Sequence, residues 1–142
     1  MKSLIVFFSL LLSSLFVSAQ ESEETKGITI TVVVENIKNN NGNVLFGLHT
    51  SETFMQGPGI QNASGKIEDG KVKITFTNVP EGTYAIMVLH DENENNRMDF
   101  DASGMPKESY GMSNNDMSFG PPEFGNAKFE VKDKDLELNI RI

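Results

Sequence analysis

The chain of 142 residues contains no cysteine and no tryptophan. Without a thiol it can form no disulfide, no thiol nucleophile and no zinc site built on sulfur. A domain of this length can nevertheless bury a sufficient core without cross-links. Side-chain packing, with or without a bound ion, must therefore hold the fold together.

Positive charge is also scarce, with 12 lysines and arginines against 20 aspartates and glutamates, and a formal net charge of −8. Nucleic acid is a poor partner for such a surface, because phosphate binding needs clustered basic side chains. The apolar run over residues 4–16 is shorter than the roughly 20 residues that a transmembrane helix needs. We therefore expect no nucleic-acid binding and no membrane span.

The same apolar run indicates a secretory signal peptide over residues 1–19. Lys2 supplies the positive start, and Val17-Ser18-Ala19 supplies the small residues of a cleavage site. No cysteine follows to carry a lipid anchor. Residues 20–26 are polar and charged, which predicts a short disordered leader. We expect a mature protein of net charge −9, after loss of Lys2, in the periplasm, at the cell surface or outside the cell.

Helical periodicity is missing, and apolar residues instead alternate with polar ones in short segments separated by turn residues. The predicted strands are 28–34, 44–48, 66–68, 71–76, 83–89, 127–131 and 136–142. About seven strands of this kind predict an all-β fold. We expect a single antiparallel β-sandwich of immunoglobulin or transthyretin type over residues 27–142.

Turn residues and strand patterns refine this architecture. Asn41-Gly42 and Asp69-Gly70 both predict tight two-residue hairpins. The segment 83–89 is apolar on both faces, which predicts a central strand covered on both sides. Residues 100–126 show no alternation, and they predict one long ordered loop. Its apolar anchors are expected to seal an open end of the sandwich, with a ligand-binding cleft as the alternative: Met105, Tyr110, Met112, Met117, Phe119 and Phe124.

The acidic stretch after the central strand has the spacing of a calcium loop. Oxygen-bearing side chains stand at its first, third, fifth and ninth places, and a backbone carbonyl is available at the seventh. The predicted ligands are Asp91, Asn93, Asn95, the Arg97 carbonyl and Asp99. Calcium is favoured over magnesium, which prefers fewer protein ligands.

Charge supports the same prediction. Five acids between Asp91 and Asp101 face one cation, Arg97, and each close pair of like charges costs about 1 kcal/mol unless a cation compensates. Ala102 takes the place where an EF-hand carries glutamate, so we expect a strand-to-loop site closed by Asp99, with Asp101 or Glu108 as further candidates. The alternative is a solvated turn whose Asp and Asn side chains bond to nearby backbone amides.

A series of spaced motifs resembles the secreted bacterial family catalogued as domain of unknown function 2141. The motifs are Gly82-Thr83-Tyr84-Ala85, His90-Asp91-Glu92-Asn93, Asp99, Gly104-Met105-Pro106-Lys107-Glu108, Tyr110-Gly111, Ser113-Asn114-Asn115, Pro122, Phe124 and Ala127. The resemblance implies a small exported β protein without an established activity. Where the family favours Asn-Gly in the acidic loop, this chain has Asn95-Asn96; Asn is the side chain that best tolerates the left-handed backbone needed at the sixth place. The turn at Pro80-Glu81-Gly82 is similar to that of transthyretin-like modules, which implies a binding or structural unit.

An enzyme is the competing class. A hydrolase would use His90 with neighbouring carboxylates such as Asp91 and a serine, Ser109 or Ser113, and His49 is expected near the same end of the sheet. The chain has no nucleophile elbow and no oxyanion signature, so we assign no catalytic residue and favour structural histidines. The sequence thus predicts an exported binding or structural module whose partner is a peptide, a glycan or an envelope protein.

Overall fold

The computed structural model describes residues 27–116, 118 and 120–142. Eight strands lie in this part of the chain: β1 Ile28–Val34, β2 Asn43–His49, β3 Gln61–Lys66, β4 Val72–Val79, β5 Gly82–Asp91, β6 Tyr110–Met112, β7 Phe129–Val131 and β8 Leu136–Ile140. A 3-10 turn at Ser113–Asn115 and a short helix, α1 Phe124–Ala127, separate β6 from β7. The predicted signal peptide (1–19), the leader (20–26) and the anchors Met117 and Phe119 lie outside the described residues.

The strands form two sheets. The small sheet has the order β4-β1-β8, and the large sheet has the order β3-β2-β5-β6, with β7 pairing the first residues of β5. This confirms the all-β sandwich. One pairing differs from the expected antiparallel pattern, because β8 runs parallel to β1. Alternation fixes which face of a strand is buried but not its direction; the crossover from β7 in the large sheet to β8 in the small sheet sets that direction.

The core lies between the two sheets and follows the predicted alternation. Ile30, Val32 and Val34 of β1 are fully buried, and burial of such side chains contributes about 1.5–3 kcal/mol each. The large sheet supplies the opposite half of the core from β2 and β5: Val44, Phe46, Leu48, Tyr84, Ile86 and Val88.

The two glycine turns have different outcomes. Asp69 and Gly70 both have positive φ, 51° and 71°, and Glu68 and Lys71 exchange two backbone hydrogen bonds of 2.9 and 3.0 Å, so the two-residue turn is confirmed. It closes a single isolated bridge and not a hairpin of two strands, because β3 and β4 lie in different sheets. The hairpin at Asn41-Gly42 is wrong. Because β1 and β2 belong to different sheets, the Gly42 turn carries the chain across the sandwich.

Side chains close the gaps between the two sheets. The Gln61 Nε2 group donates to the Thr77 carbonyl at 3.0 Å and so joins β3 to β4. At the other side, Asn115 Oδ1 accepts from the Arg141 N–H at 2.8 Å, and its Nδ2 donates to the Asn139 carbonyl at 2.9 Å. The Asn115 amide thereby pairs with β8 as a neighbouring strand would.

The segment 100–126 is only partly the loop that the sequence predicts, because it contains β6 and α1. Met112 is buried as expected, whereas Met105 is 62% exposed and Tyr110 is 39% exposed. The strand predicted from residue 127 begins instead at Phe129, after α1. Within the described ranges, no helix has the length and apolar character needed to cross a membrane.

Candidate functional site

An apolar groove lies on the outer face of the large sheet. Its floor is formed by the side chains of β2 and β5 that point away from the core. Leu45 pairs with Leu89, and Gly47 pairs with Met87. Tyr110 of β6 lies beside Leu89. The corresponding face of the small sheet is mostly polar, with Thr31, Lys73, Thr75, Glu137 and Asn139 in register. The apolar outer face is therefore specific to the large sheet.

Two loops raise walls on either side of this floor and enclose about 1000 Å³. Met98, Phe100 and Met105 come from the segment after β5, and Met55 comes from the turn after β2. Phe100 is 59% exposed and Met55 is 54% exposed. Ligand sites are usually concave surfaces lined mainly by apolar side chains, as this groove is. The groove is therefore the first candidate for a binding site.

His49 attaches the Met55 wall to the floor. Its imidazole lies over Gly47, where a Cβ atom would come within 2.5 Å of Nε2. Nδ1 donates to the Thr53 carbonyl at 3.2 Å, and the ring meets Phe54 edge-on at 5.9 Å. Burial lowers the pKa of His49 below its ordinary value. The neutral His49 ring, packed over Gly47, therefore holds the 50–55 turn in place through its contacts with Thr53 and Phe54.

A second, smaller apolar cluster supports the far end of the groove. Phe54 packs edge-on against Phe124 of α1, with ring centroids 5.7 Å apart. The cluster also contains Ala85 and Met112. Phe124 and Met112 thus pack as the predicted anchors do, but they support a wall of the groove.

The acidic loop begins where β5 ends and leads directly into the Met98–Met105 wall. Asp91 is fully buried. Its Oδ1 accepts from the Asn95 N–H at 3.1 Å, and its Oδ2 accepts from the Asn96 N–H at 2.7 Å. The backbone is left-handed at Asn96, with φ 61°, which confirms the conformation predicted for the sixth place.

Two further predicted ligands, Asn93 and Asn95, meet at Asp99. The Asn93 Nδ2 group donates to Asp99 Oδ2 at 2.6 Å, and Asn95 Nδ2 donates to both carboxylate oxygens at 3.0 Å. These side-chain amides, first Asn93 and then Asn95, lower the pKa of Asp99. Arg97, whose carbonyl was the predicted ligand, bonds to this group through its backbone N–H, which donates to Asn95 Oδ1 at 3.1 Å.

Glu108 and Asp101 play different parts. Glu108 is buried and accepts from the N–H groups of Glu92 and Asp99, at 3.0 and 3.1 Å. Asp101 lies outside the loop and forms its own turn, accepting from Ser103 and Met105. These hydrogen bonds, with the Ser103 side chain as the main contributor, lower the pKa of Asp101.

The hydrogen bonding of the loop is the kind that the solvated-turn alternative predicts, since Asp91, Asn93 and Asn95 all accept from backbone amides. In the described part of the chain, no three His, Asp or Glu side chains converge as a metal-binding group. A cation here would depend on two carboxylates, Asp91 and Asp99, together with amide and carbonyl oxygens. Calcium binding stays a prediction.

The histidines do not form a shared site. His49 pairs with Ala85 and His90 pairs with Val44, so they lie at opposite ends of the β2–β5 pair, about 17 Å apart at 3.4 Å per residue. The expectation that they approach one end is wrong, because antiparallel pairing separates them. His90 is buried, and its Nε2 donates to the Asn41 carbonyl at 2.8 Å.

The serines offer no nucleophile to these histidines. Ser113 Oγ accepts from the Ile86 N–H at 2.9 Å and donates to the Ala127 carbonyl, so its hydroxyl is committed to structure. Among the residues that the structure describes, neither histidine ring is hydrogen-bonded to a serine hydroxyl. The hydrolase alternative gains no support from this geometry.

The groove floor was missed at the level of sequence, although a sign of it was present. Residues 83–89 are apolar on both faces, and the second face was expected to be covered. In the structure the β5 side chains Met87 and Leu89 are half-buried beneath the groove. Alternation shows that a face is apolar but does not show what covers it.

Comparison with known proteins identifies a family and no activity. No curated protein and no solved structure matches the chain. A family model described as "Uncharacterized protein conserved in bacteria (DUF2141)" matches residues 32–139. That range includes the acidic loop, the whole groove and most of both sheets. The chain therefore belongs to this family of uncharacterised proteins conserved in bacteria.

Proposed function

We propose that this protein is an exported binding module whose apolar groove takes up a ligand, and whose acidic loop binds calcium to fix one wall of that groove. The observation that carries the proposal is the exposure of large apolar side chains around one concave face. Met55, Phe100, Met105 and Tyr110 are all more than a third exposed and all line the groove.

The energetic case for a ligand rests on this exposed surface. Each 100 Å² of apolar surface covered on binding contributes about 2.5 kcal/mol before the costs of association. Methionine side chains adapt to differently shaped apolar ligands, and Met55, Met87, Met98 and Met105 all line the groove. The proposed ligand is therefore an apolar group that the floor and both walls can enclose.

The case for calcium rests on oxygen atoms that already lie together. Asp91 Oδ1 and Asn93 Oδ1 both accept from the Asn95 N–H, at 3.1 and 3.2 Å. The Asn93 and Asn95 amides turn their NH₂ groups toward Asp99. A half-turn of each amide would present oxygen to Asp99 instead. The same half-turn gives up the bonds that the two amide oxygens accept from the Asn95 and Arg97 N–H groups, so calcium must offset that loss. Calcium would then replace the NH₂ groups as the partner of Asp99. With only two carboxylates its affinity is expected to be weak, as suits exported proteins that meet millimolar calcium.

A neutral apolar dye whose fluorescence rises in apolar surroundings tests the groove. The dye should bind the mature chain, residues 20–142, with saturation at one site. Met87→Glu places a charge on the floor and should abolish that binding. Val33→Glu is the matched control, because Val33 lies on the outer face of the small sheet, paired with Lys73. Equal dye binding by both variants would refute the groove as the site.

A further inference from the structure

The charge of the domain is concentrated around the groove. Residues 91–126 contain eight acids and two bases, Arg97 and Lys107, whereas residues 27–90 contain five acids and four bases, and residues 127–142 contain four of each. The segment that supplies one wall of the groove and part of its floor thus carries nearly all of the domain's net negative charge.

Two of these acids stand next to residues that line the groove. Asp101 follows the wall residue Phe100 and holds the wall turn by accepting from the Met105 N–H at 3.0 Å. Glu123 follows Pro122, which also lines the groove. Both Asp101 and Glu123 are exposed. An apolar floor is therefore bordered by carboxylates that face water.

Among the described residues, no lysine or arginine lines the groove. The basic residues of the last segment lie beyond α1: Lys128, Lys132, Lys134 and Arg141. Lys66, at the end of β3, lies on the same strand face as the lining residues Asn62 and Ser64. Arg97 and Lys107 adjoin the acidic wall. The potential at the groove mouth is consequently negative and attracts cations.

We infer that the ligand of the groove is a cationic amphipathic peptide segment. This inference rests on the proposed function. The apolar side chains of the peptide fill the methionine-lined groove, while its lysines and arginines meet the carboxylates of the rim. Recognition is through side chains, because the contacts of Gln61 with Thr77 and of Asn115 with β8 hinder the addition of a strand.

Three synthetic peptides test the charge requirement. They share one apolar face and carry lysine, glutamine or glutamate at their polar positions. Binding to the mature chain is measured by calorimetry, and the site is mapped from ¹³C-methyl methionine signals in 1 mM calcium chloride. The lysine peptide should bind at least tenfold more tightly than the glutamine peptide, should weaken several-fold at higher salt, and should shift the signals of Met87 and Met105. Met112, which is buried in the neighbouring cluster, is the internal reference.

A pair of matched double variants tests the rim itself. Asp101→Asn with Glu123→Gln removes two exposed charges at the rim, and Glu68→Gln with Glu137→Gln removes two exposed charges elsewhere. The rim variant should weaken lysine-peptide binding by about threefold per carboxylate, and the control should change it less than twofold.

The outcomes separate this inference from the proposed function. Equal affinities for the lysine and glutamine peptides would overturn the charge inference and leave the groove intact. Neutral dye binding without binding of any peptide would also overturn the peptide inference alone. If neither dye nor peptide shifts the groove methionines, the proposed function fails as well.

Discussion

The backbone N–H of Asp99 donates to the buried carboxylate of Glu108 at 3.1 Å, and the other oxygen of Glu108 accepts from the Glu92 N–H at 3.0 Å. One side chain therefore joins the beginning and the end of the acidic loop. The Asp91 carboxylate lies inside the loop and accepts from the backbone N–H groups of Asn95 and Asn96. Two buried carboxylates thus set the position of the wall that follows.

Glu108→Ala should destabilise the domain markedly, because it leaves two backbone N–H groups without their partner and opens a cavity. The expected loss is about 2–4 kcal/mol in the free energy of unfolding, measured by urea denaturation. Glu108→Gln keeps one acceptor oxygen, so its free energy of unfolding should lie between those of the wild type and Glu108→Ala. Glu130→Ala is the exposed control and should cost less than about 0.5 kcal/mol. Similar losses in Glu108→Ala and Glu130→Ala would contradict the joining role.

Gly47→Ala should disturb the groove through His49. The new Cβ would come within 2.5 Å of His49 Nε2, so the ring must move, at a cost of about 1–3 kcal/mol, and dye binding should weaken. Gly125→Ala is the matched control, since a Cβ at Gly125 meets nothing within 4 Å. Thermal unfolding and dye titration of both variants check this. Unchanged dye binding in Gly47→Ala would remove His49 from the account of the groove.

Stability should fall on mild acidification because of His49. Burial lowers the pKa of His49 in the folded protein below the unfolded value of about 6.5, so the unfolded chain binds the proton more readily. The stability that neutral His49 contributes to the folded state is fully present above about pH 6.5, and it is lost as the pH falls through the lowered pKa. Urea unfolding at pH 7.5 and pH 5.5 should show a larger loss for the wild type than for His49→Gln. Equal losses would show that His49 titrates without coupling to folding.

Export is tested by the N-terminus of the product. Expressed in a bacterial host as the full chain, the protein should leave the cytoplasm and begin at Gln20, as intact mass spectrometry would show. Deletion of residues 4–16 should retain it in the cytoplasm uncleaved. A full-length chain still starting at Met1 in the cytoplasm would refute the signal peptide.

Much of the fold follows from local pattern, and the failures are failures of long-range information. Alternation along residues 28–34 identified β1 and its buried face. Asp69-Gly70 was correct as a turn, because both residues adopt the left-handed backbone, although the strands on either side of it lie in different sheets. Asn41-Gly42 failed because a glycine specifies a backbone angle and not which strands pair. The parallel pairing of β8 with β1 likewise depends on the path of the whole chain.

The sequence predicted the acidic loop of the candidate site better than it predicted the groove. The spacing from Asp91 to Asp99 predicted a compact loop whose side chains converge, and the left-handed Asn96 agrees with it. The spacing did not distinguish oxygen atoms that bind a cation from oxygen atoms that accept backbone hydrogen bonds, because the same residues do both. The sequence offered a ligand-binding cleft at residues 100–126 as an alternative, and Met105 and Tyr110 do line the groove. The Met55 wall and the Met87 floor were out of reach, because they come from separate segments that only the tertiary fold assembles.

The most direct test of the account is whether the acidic loop takes up calcium and thereby fixes the groove wall. Thermal unfolding and methionine methyl spectra are recorded in calcium chloride and in chelator for the wild type, Asp99→Asn and the neighbouring control Asp101→Asn. At ten times its dissociation constant, calcium should raise the midpoint by roughly 3–6 °C and shift the Met98 and Met105 signals in the wild type and Asp101→Asn, but not in Asp99→Asn. Identical midpoints and spectra of the wild type in calcium and in chelator would contradict it.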